Sequence, residues 1–179
     1  MSLMAKHILV VASIAVAAFV ARPAAAQFSV GSPGGPQRLS LGVGAFDITP
    51  DTHHSDAGTA GDFDAEYHFG DVLWVLSPYL GLEATTAGAT YAYFGFGVDF
   101  NLSPNWVFTP NASAGAFQRG DGTKLGSWFE YRTGAEIDYK FDDGTRLGFA
   151  VHHMSNDGLT RYNPGEQSAN IVYQIPLHW

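Results

Sequence analysis

His153 and Ser155 have the side-chain types and the spacing of a general base and a hydroxyl nucleophile. Residues two apart on an extended strand project from the same face, so this pair can form within one element. Acyl transfer also needs hydrogen-bond donors where negative charge develops on the attacked carbonyl oxygen. Asn156, the backbone at Asp157-Gly158, and Asn163 follow closely enough to supply them. On spacing alone, the competing reading is a chance His-x-Ser pair among ordinary polar residues at a strand end.

The element that must carry the pair is legible from periodicity. From residue 37 onward the sequence alternates with period two, in segments separated by turn residues, and the helical period of 3.6 is nearly absent. Eight segments are expected: 37–48, 62–69, 77–85, 90–101, 106–118, 127–141, 145–155 and 167–179. The second sets Phe63, Ala65, Tyr67 and Phe69 against Asp62, Asp64, Glu66 and His68. The sixth sets Phe129, Tyr131, Ile137 and Tyr139 against Glu130, Arg132, Glu136, Asp138 and Lys140. The seventh places His153 and Ser155 on the same face as Phe149 and Val151. The eighth places Gln167 on the face of Ile171, Tyr173, Ile175 and Leu177, and Glu166 on the other.

Two all-β architectures accommodate this alternation. A soluble ligand-binding barrel turns its apolar face inward. A transmembrane barrel turns it to lipid and fills the lumen with polar groups. Glycine and opposite charges on the polar faces, and aromatic residues near segment ends, predict the second. Most segments also approach the roughly 9–11 residues that a tilted strand needs to cross a bilayer. The expectation is an eight-stranded antiparallel outer-membrane β-barrel over residues 37–179, closed because a sheet in lipid can leave no open edge.

Residues 1–26 read as a signal peptide: Lys6, an apolar core from Ile8 to Val20, and small residues Ala24-Ala25-Ala26 before a cleavage site. The competing reading, a membrane-anchoring helix, needs a longer apolar run. Residues 27–36, rich in Gly, Pro and Ser, read as a flexible leader. Export puts the N-terminus in the periplasm, so the loops after the first, third, fifth and seventh strands face outward. The formal charge of −8 becomes about −10 once Lys6 and Arg22 leave with the signal, a balance that argues against nucleic acid as a partner. There is no cysteine, which excludes a disulfide, a thiol nucleophile and a Cys-based metal site. His53-His54 with Asp51 and Asp56 invites a metal reading, but a solvated loop is the simpler one. Gly120 to Gly122 is a turn signal without the strand-to-helix context of a phosphate loop.

The runs His153-Met154-Ser155-Asn156-Asp157-Gly158 and Asn163-Pro164-Gly165-Glu166-Gln167 resemble the C-terminal signature of the lipid A 3-O-deacylase (PagL) family. The last two segments match in motif, the other six in layout. The resemblance implies an outer-membrane serine esterase acting on lipid A of lipopolysaccharide, with Ser155 as nucleophile and His153 as base. It implies an oxyanion or positioning role for Asn156, Gly158 and Asn163, and it calls for no metal or cofactor. The family's third catalytic member is a Glu four residues after the turn Asn, and that position is Gln167 here. Glu166 is the alternative acid; strand parity favours Gln167 as the equivalent residue. An amide in that place supports a second reading, a non-catalytic barrel that keeps the family scaffold as a structural or surface protein. The sequence leaves monomer and homodimer equally open.

Overall fold

The computed structural model describes residues 28–32, 34–50, 58–70 and 74–177, and among them there are strands and turns but no helix. The expected signal peptide, the His53-His54 loop and the C-terminal Trp179 lie outside the described residues. The strands are β1 (Ser29–Val30), β2 (Gln37–Phe46), β3 (Ala60–His68), β4 (Leu76–Thr85) and β5 (Thr90–Val98), then β6 (Phe100–Asn101), β7 (Trp106–Gln118), β8 (Phe129–Lys140), β9 (Arg146–Ser155) and β10 (Glu166–Leu177). The eight long strands form an antiparallel meander that closes on itself. β2 pairs with both β3 and β10, and β7 pairs with both β5 and β8. Closure satisfies the backbone of every long strand, the condition for a sheet to sit in lipid.

The pleat sorts the two faces as the alternation predicts. Phe63 is 54% exposed, whereas Asp62 beside it is 0% exposed. Leu41, Val43, Leu82, Phe149 and Ile171 also point outward. Ionic side chains fill the lumen instead. This is the inverse of a soluble barrel and excludes that alternative. Aromatic pairs sit near the ends of the outer wall: Trp106 with Tyr139 at one end, Phe129 with Tyr131 at the other. Such girdles suit rings with an apolar body and a polar tip.

The lumen is organised around arginines. Arg132, fully buried, donates to Asp64 (2.9 Å), Glu66 (2.6 Å) and Glu83 (2.9 Å) and lies 4.0 Å from the centroid of the Tyr93 ring. Towards the other end, Asp99 accepts from Arg146 (2.8 Å), Arg38 (3.5 Å) and Thr109 (2.9 Å). Glycine makes room for the lumen rings. A Cβ on Gly81 would lie 2.1 Å from the Tyr93 ring, and one on Gly95 would lie 2.5 Å from the Tyr79 ring. Buried carboxylates paired in this way are tolerated; unpaired, they would be costly.

The strand boundaries differ from the expected ones at particular residues. The fourth segment divides at Asp99, whose carboxylate is held in the lumen, and β6 continues beyond it. β1 pairs with β6, and the Gly31 N–H donates to the Asp99 carbonyl at 2.7 Å, so the segment expected as a leader is tied to the barrel at that point. One barrel end carries the connections 47–59, 86–89, 119–128 and 156–165. There Leu125 of the third connection is buried in a cluster that includes Phe46, Tyr91, Phe117 and Met154, and the buried Thr123 donates to Asp47.

Candidate active site

His153 and Ser155 stand at the end of β9 where these connections gather. His152 and Met154 are buried in the lumen, so parity sends His153 and Ser155 outward, in line with the exposed Phe149. On β8 their outward partners are Thr133, opposite His153, and Tyr131, opposite Ser155. On β10 the partner of His153 is Gln167. The Gln167 Nε2 lies 3.1 Å from His153 Nδ1. A half-turn of the amide places Oε1 there instead, and O and N are interchangeable in shape. In that orientation Nδ1–H donates to Gln167, and Nε2 carries the ring's lone pair.

Glu166 points the other way. It is 1% exposed, pairs in register with the inward Met154, and accepts the Asp47 N–H at 3.2 Å. Asp47, at φ 55°, also accepts from Thr123 Oγ1 at 2.5 Å through its carboxylate, and the Ile48 N–H donates to the Gln167 carbonyl at 2.8 Å. The start of β10 is thus pinned from the lumen and from β2. Of the two neighbouring side chains, Gln167 reaches His153 and the Glu166 carboxyl does not; Glu166 meets the imidazole only through its backbone.

The turn after Ser155 is built on Asn156, which is fully buried. Its Nδ2 donates to the carbonyls of Leu125 (2.9 Å) and Tyr162 (3.0 Å), and its Oδ1 accepts the Gly158 N–H (3.1 Å). Its own N–H donates to Asn163 Oδ1 (3.0 Å). The donors of Asn156 and Gly158 are therefore engaged within the turn and do not point at a ligand in this arrangement. The Asp157 N–H and Asn163 Nδ2 stand outside these bonds, on exposed residues.

Sequence reasoning gave no role to Gly165. A Cβ there would lie 2.7 Å from His153 Cε1, and the residue adopts φ 69°. A side chain would displace the imidazole and strain the backbone together. The Pro164-Gly165 dipeptide carried the signal, because Gly with positive φ after Pro is the pattern of a type II turn.

A family model described as lipid A 3-O-deacylase (PagL) matches residues 63–176, more than half of the chain. The chain belongs to the lipid A 3-O-deacylase (PagL) family. Among solved structures, the outer membrane enzyme PagL superposes with a TM-score of 0.60 at 21% identity, covering 78% of this chain and 99% of that one. A de novo designed transmembrane β-barrel (TM-score 0.47, 18% identity, 79% and 96% covered) is also similar. So is the Yersinia pestis outer membrane protein Ail (0.48, 12%, 79% and 99%). No curated protein matches the chain. As a PagL-family barrel, the protein is placed in the bacterial outer membrane, in a family of hydrolases that act on lipopolysaccharide.

Proposed function

We propose that this PagL-family barrel removes an ester-linked 3-hydroxyacyl chain from lipid A, with Ser155 as nucleophile, His153 as general base and Gln167 as the residue that orients His153. The observation that carries this reading is the contact between Gln167 and His153 Nδ1, on the outward face that also bears Ser155. An ester held among lipid chains reaches that face without leaving the membrane.

In the first half-reaction the Ser155 hydroxyl gives its proton to His153 Nε2 as Oγ attacks the ester carbonyl. The oxyanion is stabilised by the Asp157 N–H and Asn163 Nδ2. Collapse breaks the ester bond, His153 returns the proton to the departing sugar oxygen, and the acyl group remains on Ser155. In the second half-reaction His153 takes a proton from water, hydroxide adds to the acyl carbonyl, and the fatty acid leaves as Ser155 regains its proton. A Gln carbonyl holds the imidazole in the right tautomer but does not neutralise the positive charge that the ring acquires. In a serine protease the comparable carboxylate-to-amide change lowers turnover about 10⁴-fold. Slow turnover follows.

Expression in a Gram-negative host, beside Ser155→Ala, tests the proposal by mass spectrometry of lipid A. Loss of one 3-hydroxyacyl chain with the parent protein and not with Ser155→Ala is the expected result. Identical lipid A from both, with both proteins in the outer membrane, would favour the scaffold-only reading.

A further inference from the structure

Among the described residues, the cationic Arg and Lys side chains fall into three places. Arg38, Arg132 and Arg146 lie in the lumen, in ion pairs with Asp64, Glu66, Glu83 and Asp99. Lys140 ends β8 at the opposite end of the barrel from the site. Arg119, Lys124 and Arg161 all lie on the loops 119–128 and 156–165, the two that flank Ser155. In a chain with 17 acidic and 9 basic residues, this grouping of exposed cations is local.

The loops are fastened where two of these cations stand. Asn156 Nδ2 bridges the Leu125 and Tyr162 carbonyls, so the chain at Lys124-Leu125 is held against the chain at Arg161-Tyr162. Gly126, at φ 101°, approaches the Tyr162 carbonyl so closely that a Cβ would lie 2.0 Å from its oxygen. Lys124 Nζ lies 5.1 Å from the centroid of the Tyr162 ring, a contact that fixes the ammonium. Lys124 and Arg161 are both exposed, and they stand at a junction tied together by the residue that follows Ser155. Asp121 and Asp157 share the loops, and no ion pair joins either of them to Lys124 or Arg161 among the described residues.

We infer that Lys124 and Arg161 form a phosphate-binding pair that seats the phosphorylated sugar headgroup of the substrate while its ester lies at Ser155. The inference rests on the lipid A reading above. Phosphate suits this pair: a guanidinium offers two parallel donors, and an ammonium adds a compact charge. A glycolipid whose acyl chains are in the bilayer carries its phosphate at the interface, at the level of these loops. Binding the headgroup there fixes the sugar and leaves the ester to be selected at the outward face of β9.

The test uses Ser155→Ala protein in nanodiscs, so that bound lipid is not consumed. Its affinity for lipid A and for enzymatically dephosphorylated lipid A is compared with that of the same protein carrying Lys124→Gln and Arg161→Gln. The added pair of substitutions is expected to weaken lipid A binding by about tenfold or more. Dephosphorylated lipid A should bind both proteins alike, and the weakening should shrink as salt rises. Heat-modified migration on gels checks that both proteins are folded. Equal affinity of both proteins for lipid A overturns the inference. So does an equal loss with the dephosphorylated lipid, equal competition by phosphatidylglycerol, or absence of lipid A binding. Hydrolysis by the parent protein is scored separately, so phosphate-dependent binding without hydrolysis would keep the binding pair and reject the esterase.

Discussion

Glu166 and Gln167 are neighbours in sequence and opposites in surroundings. Glu166 lies in the lumen, where Asp47 holds it, while Gln167 lies on the outer wall against His153. The contrast extends around the barrel. Lumen charges such as Asp64, Glu66 and Glu83 are engaged by Arg132, and Asp99 by Arg146. The outer wall is apolar until its last turn at the site end, where a His, a Ser and a Gln replace the aliphatic residues. A polar group in the lumen stabilises the barrel by having a partner. A polar group on the outer wall is useful because it remains available to a lipid. The same residue types therefore serve structure on one face and stay open to the surroundings on the other, and the pleat alone decides which.

Substitutions can break or sharpen this comparison. The largest effect is expected for Gln167→Glu, which adds the missing negative charge beside His153. Turnover should rise, by up to about 10⁴-fold, measured as the rate of lipid A deacylation. No gain would mean that the amide is not what limits the site. Next is Arg132→Met in the lumen, which strands three buried carboxylates. A loss of about 3–5 kcal/mol is expected in urea unfolding of the refolded barrel. Phe149→Arg, on the lipid face below His153, should cost about 2–4 kcal/mol in the same measurement. The smallest effect is expected for Glu166→Gln. An amide oxygen still accepts the Asp47 N–H, so stability should change by less than about 1 kcal/mol and deacylation should be unaltered. A large loss of deacylation with intact folding would instead make Glu166 the working acid.

Much of the site was legible because it is local. His153, Ser155 and Asn156 lie on one strand and the turn after it, and a motif of that kind survives in linear sequence. The parity argument also separated Gln167 from Glu166, because the regular alternation of Ile171, Tyr173, Ile175 and Leu177 extends back through the start of β10. The engagement of Asn156 was not legible. Its partners Leu125 and Tyr162 lie on loops without periodicity, and only their positions in space show that its donors are occupied. Gly165 was overlooked for a related reason: a turn glycine reads as a conformational need, and its closeness to His153 arises only when β10 lies beside β9.

By itself, the sequence determined the class of the molecule, its two chemical faces and the common outward face of His153 and Ser155, because a period of two converts directly into side-chain direction. The tertiary structure decided the rest. Register across β8, β9 and β10 set Thr133 and Gln167 beside His153, and closure of the ring brought Arg132 to its three carboxylates. The fastening of two loops by Asn156 brought the Leu125 and Tyr162 carbonyls to one amide and Lys124 over the Tyr162 ring. Each of these depends on hydrogen bonds between segments far apart in the chain, and alternation within a segment carries no record of its partner.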